Sequence, residues 1–267
     1  FNDYYSVDLK YHRLENLIPN ANWEDNYWEG DKLKFYRASV ADSVFINHLF
    51  EKFEIRFVVH LAAQAGVRYS IENPFAYNKA NIDGTLTILQ AVRNYHVKHL
   101  VYASSSSVYG NDSKQPYNEN ESCNNPVSYY AATKRSNEMM AQAYSNLYEI
   151  TSSGLRFFTV YGPWGRPDMA PMLFAKAAAN QHPIKVFNNG NQERDFTFVS
   201  DIVEGIFRIT FNPQRLKEGD HEIFNIGAGQ PVGLMKFISG LEKKFSVSIE
   251  KEFIPAQLGD VTSTFAD

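Results

Sequence analysis

The sequence is poor in cysteine, has no excess of basic residues and contains no long apolar run. Its 267 residues include one cysteine, Cys123, which excludes an intrachain disulfide framework and a cysteine-rich metal site, and we expect no metal. Lysine and arginine number 26 against 30 acidic residues, so nothing favours a nucleic-acid partner. No run approaches the ~18 apolar residues of a membrane span, and no signal-peptide pattern opens the chain. These absences predict a cytoplasmic protein without a membrane partner.

A glycine-rich turn near the start of the chain is also missing. Such a turn lets backbone amides approach a dinucleotide pyrophosphate in a Rossmann fold. The one glycine-dense stretch, 227–233, lies far downstream and carries Pro231 where a helix would begin. We therefore interpret this stretch as an ordinary turn.

What is present is a globular composition with alternating structural patterns. Hydrophobic residues make up 44% of the chain and aromatic residues 15%, enough for a sizeable core. Apolar runs alternate with helical patterns, which predicts an α/β fold with a doubly wound, Rossmann-like parallel sheet. Strands are expected at 58–61, 100–102 and about 151–158, and helices at 80–95 and 130–148. Glycine, proline and asparagine cluster after Tyr161, which suits a smaller lobe built partly of loops.

The pair Tyr130 and Lys134 has the spacing that places two side chains one turn apart on a helix. A neighbouring ammonium favours the phenolate form, which lets a tyrosine accept a proton at neutral pH. The same spacing also occurs in ordinary surface pairs. However, an apolar strand upstream ends in four serines, 104–107, at the edge where open α/β sheets bind ligands. Together these features predict a redox site acting on an alcohol.

These residues resemble the extended short-chain dehydrogenase/reductase family, and within it the UDP-glucuronate 4-epimerases. The resemblance covers nearly the whole chain. It is carried by Asn2-Asp3-Tyr4-Tyr5, by His60-Leu61-Ala62-Ala63-Gln64-Ala65-Gly66-Val67-Arg68, by the four serines before Val108-Tyr109-Gly110, by the Tyr130/Lys134 motif and by the run from Gly154 to Met169.

The resemblance implies a cofactor-binding Rossmann-like domain at 1–161, which also takes in a strand near 197–210, and mainly a nucleotide-sugar-binding lobe at 162–267. Both ends would be truncated: the first strand, its glycine loop and the first helix precede the family position of Asn2, and relatives continue past Asp267. It also implies a homodimer built on two long helices. From the residues alone, these helices could instead simply cover the sheet.

For catalysis, the resemblance implies NAD as cofactor. Tyr130 would be the base, Lys134 would lower its pKa and hold the nicotinamide ribose, and Ser105 would bridge the substrate hydroxyl and the phenol. The remaining cofactor contacts would come from Leu61, Ala62, Ala63, Ser39 and Val40, and Asn81 would be a structural residue below the site.

For the substrate, the resemblance places Ser106, Ser107, Thr159 and Arg166 near a sugar carboxylate. Nucleotide contacts would come from Arg68, Phe187, Arg194 and Asp260. Three of the residues in this substrate set have simpler interpretations. Arg166 could be a surface loop arginine, Arg194 could pair with Asp195, and Phe187 could be core.

The expected function is NAD-dependent 4-epimerisation of UDP-glucuronate to UDP-galacturonate through a transient 4-keto sugar. Dehydratases and decarboxylases of the family carry an acidic residue where Ser106 and Ser107 stand, which disfavours both. The alternatives are a 4-epimerase of a neutral UDP-hexose, a UDP-glucuronate decarboxylase, and a nucleotide-sugar-binding fragment without turnover.

Overall fold

The computed structural model describes residues 2–19, 26–30, 32–111, 113–212, 216–256 and 261–267. The α-helices are α1 (Val7–Glu15), α2 (Ser43–Lys52), α3 (Tyr69–Glu72), α4 (Pro74–Tyr77), α5 (Gly84–Asn94), α6 (Tyr129–Tyr148), α7 (Ala170–Asn180), α8 (Val199–Phe211) and α9 (Leu234–Phe245). The strands are β1 (Tyr27–Glu29), β2 (Lys34–Tyr36), β3 (Phe57–His60), β4 (His99–Ala103), β5 (Ser152–Phe157), β6 (Thr159–Tyr161), β7 (Ile184–Val186), β8 (Glu193–Phe198), β9 (His221–Ile226), β10 (Pro231–Gly233) and β11 (Lys251–Phe253).

The centre of the fold is a parallel sheet with the strand order β3-β4-β5-β9. Residues on the two faces of β4 contact different helices. Leu100 and Tyr102 lie in the hydrophobic core formed with α2, α5 and α6, whereas the His99 ring lies 3.5 Å from the carbonyl oxygen of Thr210 in α8. Since successive strand residues point to opposite faces, helices cover both sides of the sheet. The doubly wound α/β prediction is confirmed.

The predicted strands and long helices are present, with one refinement. The helix expected from residue 80 begins as a π-helical turn, Asn78–Asp83, that runs directly into α5. Such turns are uncommon and often mark functional sites. Here the turn lies beside α6.

A second group of elements forms the smaller lobe. In it, β6, β8 and β10 make a three-stranded sheet, and β7 pairs in parallel with β11. Helices α7 and α9 pack over a core that includes Phe174, Val186 and Ile238. The division at residue 161 remains a prediction.

The strand expected near 197–210 is wrong: residues Val199–Phe211 form helix α8. Its apolar residues recur with the helical period, its buried residues are Ile202 and Thr210, and the Thr210 carbonyl oxygen lies beside His99 of β4. The strand that this half of the chain adds to the central sheet is β9, which pairs with β5 over its full length.

The glycine-dense stretch 227–233 is a turn followed by β10, as predicted. The amides of Ala228 and Gly229 donate hydrogen bonds to the Asp195 carboxylate, at 2.8 and 3.0 Å. Asp195 has no exposed surface. A buried carboxylate therefore holds the amides that a phosphate loop would offer to its ligand.

No helix in the described ranges combines the length and the apolar character that a membrane crossing demands.

Candidate active site

The end of strand β4 carries the serine cluster into the edge of the sheet. After Ala103 the chain passes through Ser104 and Ser105, both almost fully buried, into a 3-10 turn, Ser106–Tyr109. The Ser105 hydroxyl accepts a hydrogen bond from the amide of Ser107 at 3.2 Å, so it caps the turn. The capping interpretation of Ser105 is therefore confirmed, and its catalytic role stays a prediction.

Tyr130 lies in the first turn of α6, facing Ser105. The helix begins here because the Ser128 hydroxyl accepts a hydrogen bond from the amide of Ala131 at 3.1 Å. Burial raises the pKa of Tyr130, while hydrogen bonding with Ser105 and the positive charge of Arg166 lower it. The phenol thus lies in an apolar setting beside a hydroxyl and a cation, and its pKa stays above its usual value because burial outweighs both.

Lys134 is 4% exposed, and its ammonium donates a hydrogen bond to the Ala103 carbonyl oxygen at 2.8 Å. Burial lowers its pKa to about 8, against the opposing influence of the Glu138 carboxylate. Lys134 therefore fastens α6 to the strand that carries the serines, one helical turn from Tyr130.

Asn81, in the π-helical turn, fixes α6 from the other side. Its side-chain amide donates to the carbonyl oxygen of Gln64 and to the hydroxyl of Thr133, both at 3.0 Å. Its carbonyl oxygen accepts from the Asn137 amide at 2.8 Å. Asn81 therefore ties the π-helical turn to the loop after β3 and to α6.

A cavity of about 850 Å³ is lined in part by Gln64 and Ala80, next to Asn81, and by Arg166, whereas Tyr130 and Lys134 are not among its lining residues. Four of the predicted cofactor residues line it: Ser39 and Val40 from the loop after β2, and Ala62 and Ala63 from the end of β3. Leu61, which precedes them, is 49% exposed. Lys10, Arg13 and Arg37 supply positive charge to the same cavity. Small side chains on one wall and cations on another suit a flat, anionic dinucleotide such as NAD.

Arg166 does not lie on the surface as a loop arginine would. Its guanidinium forms an ion pair with Asp168, whose carboxylate also accepts a hydrogen bond from the Tyr4 hydroxyl at 2.9 Å. The cluster lies against Gly66, which has a φ of +108°; a Cβ atom there would lie 3.0 Å from the Tyr4 oxygen and 3.3 Å from Arg166 Nη2. The structure therefore directs this cation toward the cavity and Tyr130.

Sequence reasoning missed Tyr4 and Asp168 as members of the site. Both lie in motifs that were used only to establish the family resemblance. The hydrogen bond between them joins residues 164 positions apart. The available signal was the charge complementarity of Arg166 and Asp168 within one short loop.

Ser106, Ser107 and Thr159 follow the carboxyl ends of two neighbouring strands. The first two come after β4 and Thr159 comes after β5, and all three are half-buried. Parallel strands that end at the same edge bring such residues to one side of the sheet.

The structure also brings two predicted nucleotide contacts together. The Arg68 guanidinium lies 4.5 Å from the centre of the Phe187 ring, so a loop after β3 touches the smaller lobe. Arg194 lies on β8 with its side chain on the face opposite that of Asp195, which bonds to backbone amides. Asp260 lies outside the described residues.

Comparison with known proteins identifies the family. Residues 11–227 match the model of the NAD dependent epimerase/dehydratase family. The chain belongs to this family. Its cofactor is NAD, and the cavity lined by Ala62 and Ala63 is where we expect NAD to bind.

This chain spans about four fifths of the length of two relatives that it matches. Protein CapI of Staphylococcus aureus is 44% identical over 279 residues, covering all of this chain and 80% of the relative. A UDP-glucuronate 4-epimerase of Thermodesulfobacterium geofontis is 39% identical, covering all of this chain and 77% of the relative. The crystal structure of a UDP-glucuronic acid 4-epimerase from Bacillus cereus, in complex with UDP-glucuronic acid and NAD, superposes with a TM-score of 0.83 at 30% identity. That superposition covers 98% of this chain and 78% of the other.

Replacement of Ala62 by phenylalanine tests the cofactor cavity. Ala62 is exposed and lines the cavity, so a larger side chain fills space without disturbing the core. We expect the Ala62→Phe variant to bind NAD at least about tenfold more weakly, because the ring blocks the wall on which the dinucleotide lies. Calorimetric titration with NAD measures the affinity. Ala256→Phe, at an exposed site outside the cavity lining, is the control, and equal affinity in both variants would show that NAD binds elsewhere.

Proposed function

We propose that the protein interconverts UDP-glucuronate and UDP-galacturonate as an NAD-dependent 4-epimerase. The observation that carries the proposal is the setting of Tyr130, whose phenol meets the Ser105 side chain and the charge of Arg166 at the edge of a parallel sheet. The family and the named relatives support the same reaction.

The sugar carbon to be inverted bears an unactivated hydrogen, so direct proton abstraction is unfavourable. Bound NAD supplies an acceptor for the C4 hydride and afterwards a donor of it to the opposite face. Tyr130 accepts the 4-hydroxyl proton as the ketone forms and returns it when the alcohol is restored. Ser105 orients this hydroxyl, and Lys134 adds a positive charge one helical turn from the phenol. The proton and the hydride both return to the sugar, so the net reaction is an isomerisation.

Selection of a carboxylate rests on two kinds of group. Ser106, Ser107 and Thr159 offer hydroxyl donors at one edge of the sheet, and Arg166 offers a cation. A buried polar group left without its partner costs about 1–3 kcal/mol, so a substrate without the carboxylate is rejected. Because Asp168 already balances Arg166, the hydroxyls carry a large share of this recognition.

The nucleotide lies, in this proposal, between the two lobes. Arg194 would bind the diphosphate through charge-assisted hydrogen bonds. The Arg68–Phe187 contact closes the same region and offers the uracil an aromatic face. Asp260 would complete this end of the site.

Product analysis tests the proposal. The purified protein is incubated with UDP-glucuronate and NAD, and the sugar is identified by proton NMR. UDP-galacturonate supports the proposal. A UDP-pentose would identify a decarboxylase, turnover of neutral UDP-hexoses alone would change the substrate, and NAD binding without any turnover would favour a nucleotide-sugar-binding protein.

Removal of the Tyr130 hydroxyl should abolish turnover while the UDP-sugar still binds. Because no other group replaces the base, we expect kcat of Tyr130→Phe to fall by at least about 100-fold. Tyr129→Phe, at the neighbouring exposed position, is the matched control and should keep its activity. A Tyr130→Phe variant that loses binding but keeps the rate of the chemical step would refute the role of base.

Replacement of Thr159 by asparagine should weaken selection for the carboxylate. The hydroxyl donor is lost and a bulkier amide enters the same space, so we expect the kcat/KM ratio of UDP-glucuronate to UDP-glucose to fall by about tenfold. Thr159→Ser keeps the hydroxyl and should keep the ratio. An unchanged ratio in the asparagine variant would exclude Thr159 from carboxylate recognition.

We also propose a homodimer through the helices on the α5–α6 side of the sheet. Large apolar side chains are exposed there: Phe75 by 84%, Met139 by 61% and Leu147 by 67%. Light scattering after size-exclusion chromatography should give twice the chain mass, and Met139→Glu with Leu147→Glu should give the monomer, because charges at this face oppose its burial. A monomeric parent protein at micromolar concentration would contradict the proposal.

A further inference from the structure

Helix α6 contacts the end of strand β4 through three side chains spaced four residues apart. Tyr130 faces the Ser105 side chain, Lys134 donates to the Ala103 carbonyl oxygen at 2.8 Å, and Glu138 Oε1 accepts from the Ser104 hydroxyl at 2.6 Å. Residues with this spacing lie along one face of a helix. The tyrosine and lysine of the site are therefore two members of a series of three, and Glu138 is the third.

Glu138 is an anion inside the protein. It is 1% exposed, and burial by itself raises the pKa of its carboxyl group. The Arg156 guanidinium reverses this effect with two hydrogen bonds of 2.9 Å, and Ser104 and Arg135 add further donors, so the pKa lies below its ordinary value. Such a carboxylate stays ionised because every donor around it is in place.

Arg156 comes from the neighbouring strand β5 and is itself 1% exposed. Its guanidinium lies 4.7 Å from the centre of the Tyr109 ring and donates to the Glu119 carbonyl oxygen at 3.3 Å. The Glu138 carboxylate thus accepts hydrogen bonds from Arg156 of β5 and from Ser104, which directly follows β4. It joins α6 to two adjacent strands, directly before Ser105.

We propose that Glu138 is a positioning residue for the reaction, which holds the Ser104–Ser105 strand end against α6 and balances the buried Lys134 ammonium. The inference rests on the proposed roles of Tyr130, Lys134 and Ser105. It assigns a function to an ion pair that does not itself line the cofactor cavity.

Besides Lys134 and two arginines, the titratable groups that face Glu138 among the described residues are Tyr102, Cys123 and His221. Burial raises the pKa of Tyr102 and of Cys123, so both are neutral at neutral pH. Burial, together with the Lys134 charge, lowers the pKa of His60, on β3, to about 4; burial likewise lowers the pKa of His221, on β9, to about 4. Both imidazoles are therefore neutral at neutral pH. Arg156 and Arg135 contact the Glu138 carboxylate directly, and Glu138 is the group whose charge opposes the deprotonation of Lys134.

The first variant is Glu138→Gln, which keeps the shape of the side chain and removes its charge. Lys134 should lose its proton more readily, because the opposing anion is gone. We expect kcat to fall with KM for the UDP-sugar unchanged, and the alkaline limb of the pH–kcat profile to move down by about half a pH unit or more. The control is Glu242→Gln, whose carboxylate pairs with Lys251 in the smaller lobe at 2.6 Å and should leave the profile unchanged.

The second variant is Ser104→Ala, which leaves the Glu138–Arg156 pair intact and removes the bond to the strand end. It should lower kcat by about tenfold, because Ser105 is less firmly placed, and should leave the alkaline limb where it was. This variant decides the positioning role if Glu138→Gln does not fold.

A readout without turnover separates this inference from the proposed function. In protein labelled with ¹³C-lysine, the Lys134 signal is assigned by its loss in Lys134→Met and followed through a pH titration. A lower Lys134 pKa in Glu138→Gln than in the parent supports the electrostatic role even if no UDP-sugar is turned over. Glu138→Gln and Ser104→Ala variants with unchanged kcat, pH profile and Lys134 titration, whatever their melting temperatures, would show a purely structural pair and overturn the proposal.

Discussion

The site depends on the docking of helix α6 against the end of strand β4. Lys134 and Glu138 are both almost fully buried, and each makes its hydrogen bond to the last residues of that strand. Two buried charges demand complete pairing, so the relative position of helix and strand is narrowly defined. Tyr130 and Ser105 occupy the same junction, and their geometry follows from that of the charged residues beside them.

The electrostatics of the site are a balance between burial and neighbouring charge. Burial raises the pKa of Tyr130 and lowers that of Lys134, and each effect alone opposes catalysis near neutral pH. Ser105 and Arg166 act against the first effect, and Glu138 acts against the second. A low dielectric constant strengthens each of these electrostatic interactions. Burial therefore shifts the two pKa values in the unfavourable direction and also strengthens the neighbouring charges that oppose these shifts.

The smaller lobe meets the sheet through specific polar contacts as well as through packing. The Asp195 carboxylate organises the turn after β9, and the Arg68–Phe187 contact links the loop after β3 to the 3-10 turn after β7. The Tyr4 hydroxyl reaches Asp168 in the loop after β6. A nucleotide sugar bound between the lobes would touch residues that these contacts already hold, so little ordering is required on binding.

The sequence by itself determined the fold class, the alternation of strands and long helices, and the pairing of Tyr130 with Lys134 on one helix face, because these follow from local periodicity and from recognisable motifs. The strand that the resemblance implied near 197–210 is wrong, because Val199–Phe211 form an amphipathic helix. The tertiary structure alone decided that Arg166 pairs with Asp168 and Tyr4, that Asp195 holds the glycine turn, and that Glu138 joins the site through Arg156. Most of these contacts join residues far apart in the chain, so no spacing in the sequence predicts them. The charged side chains come within bonding distance only when the strands and helices pack together.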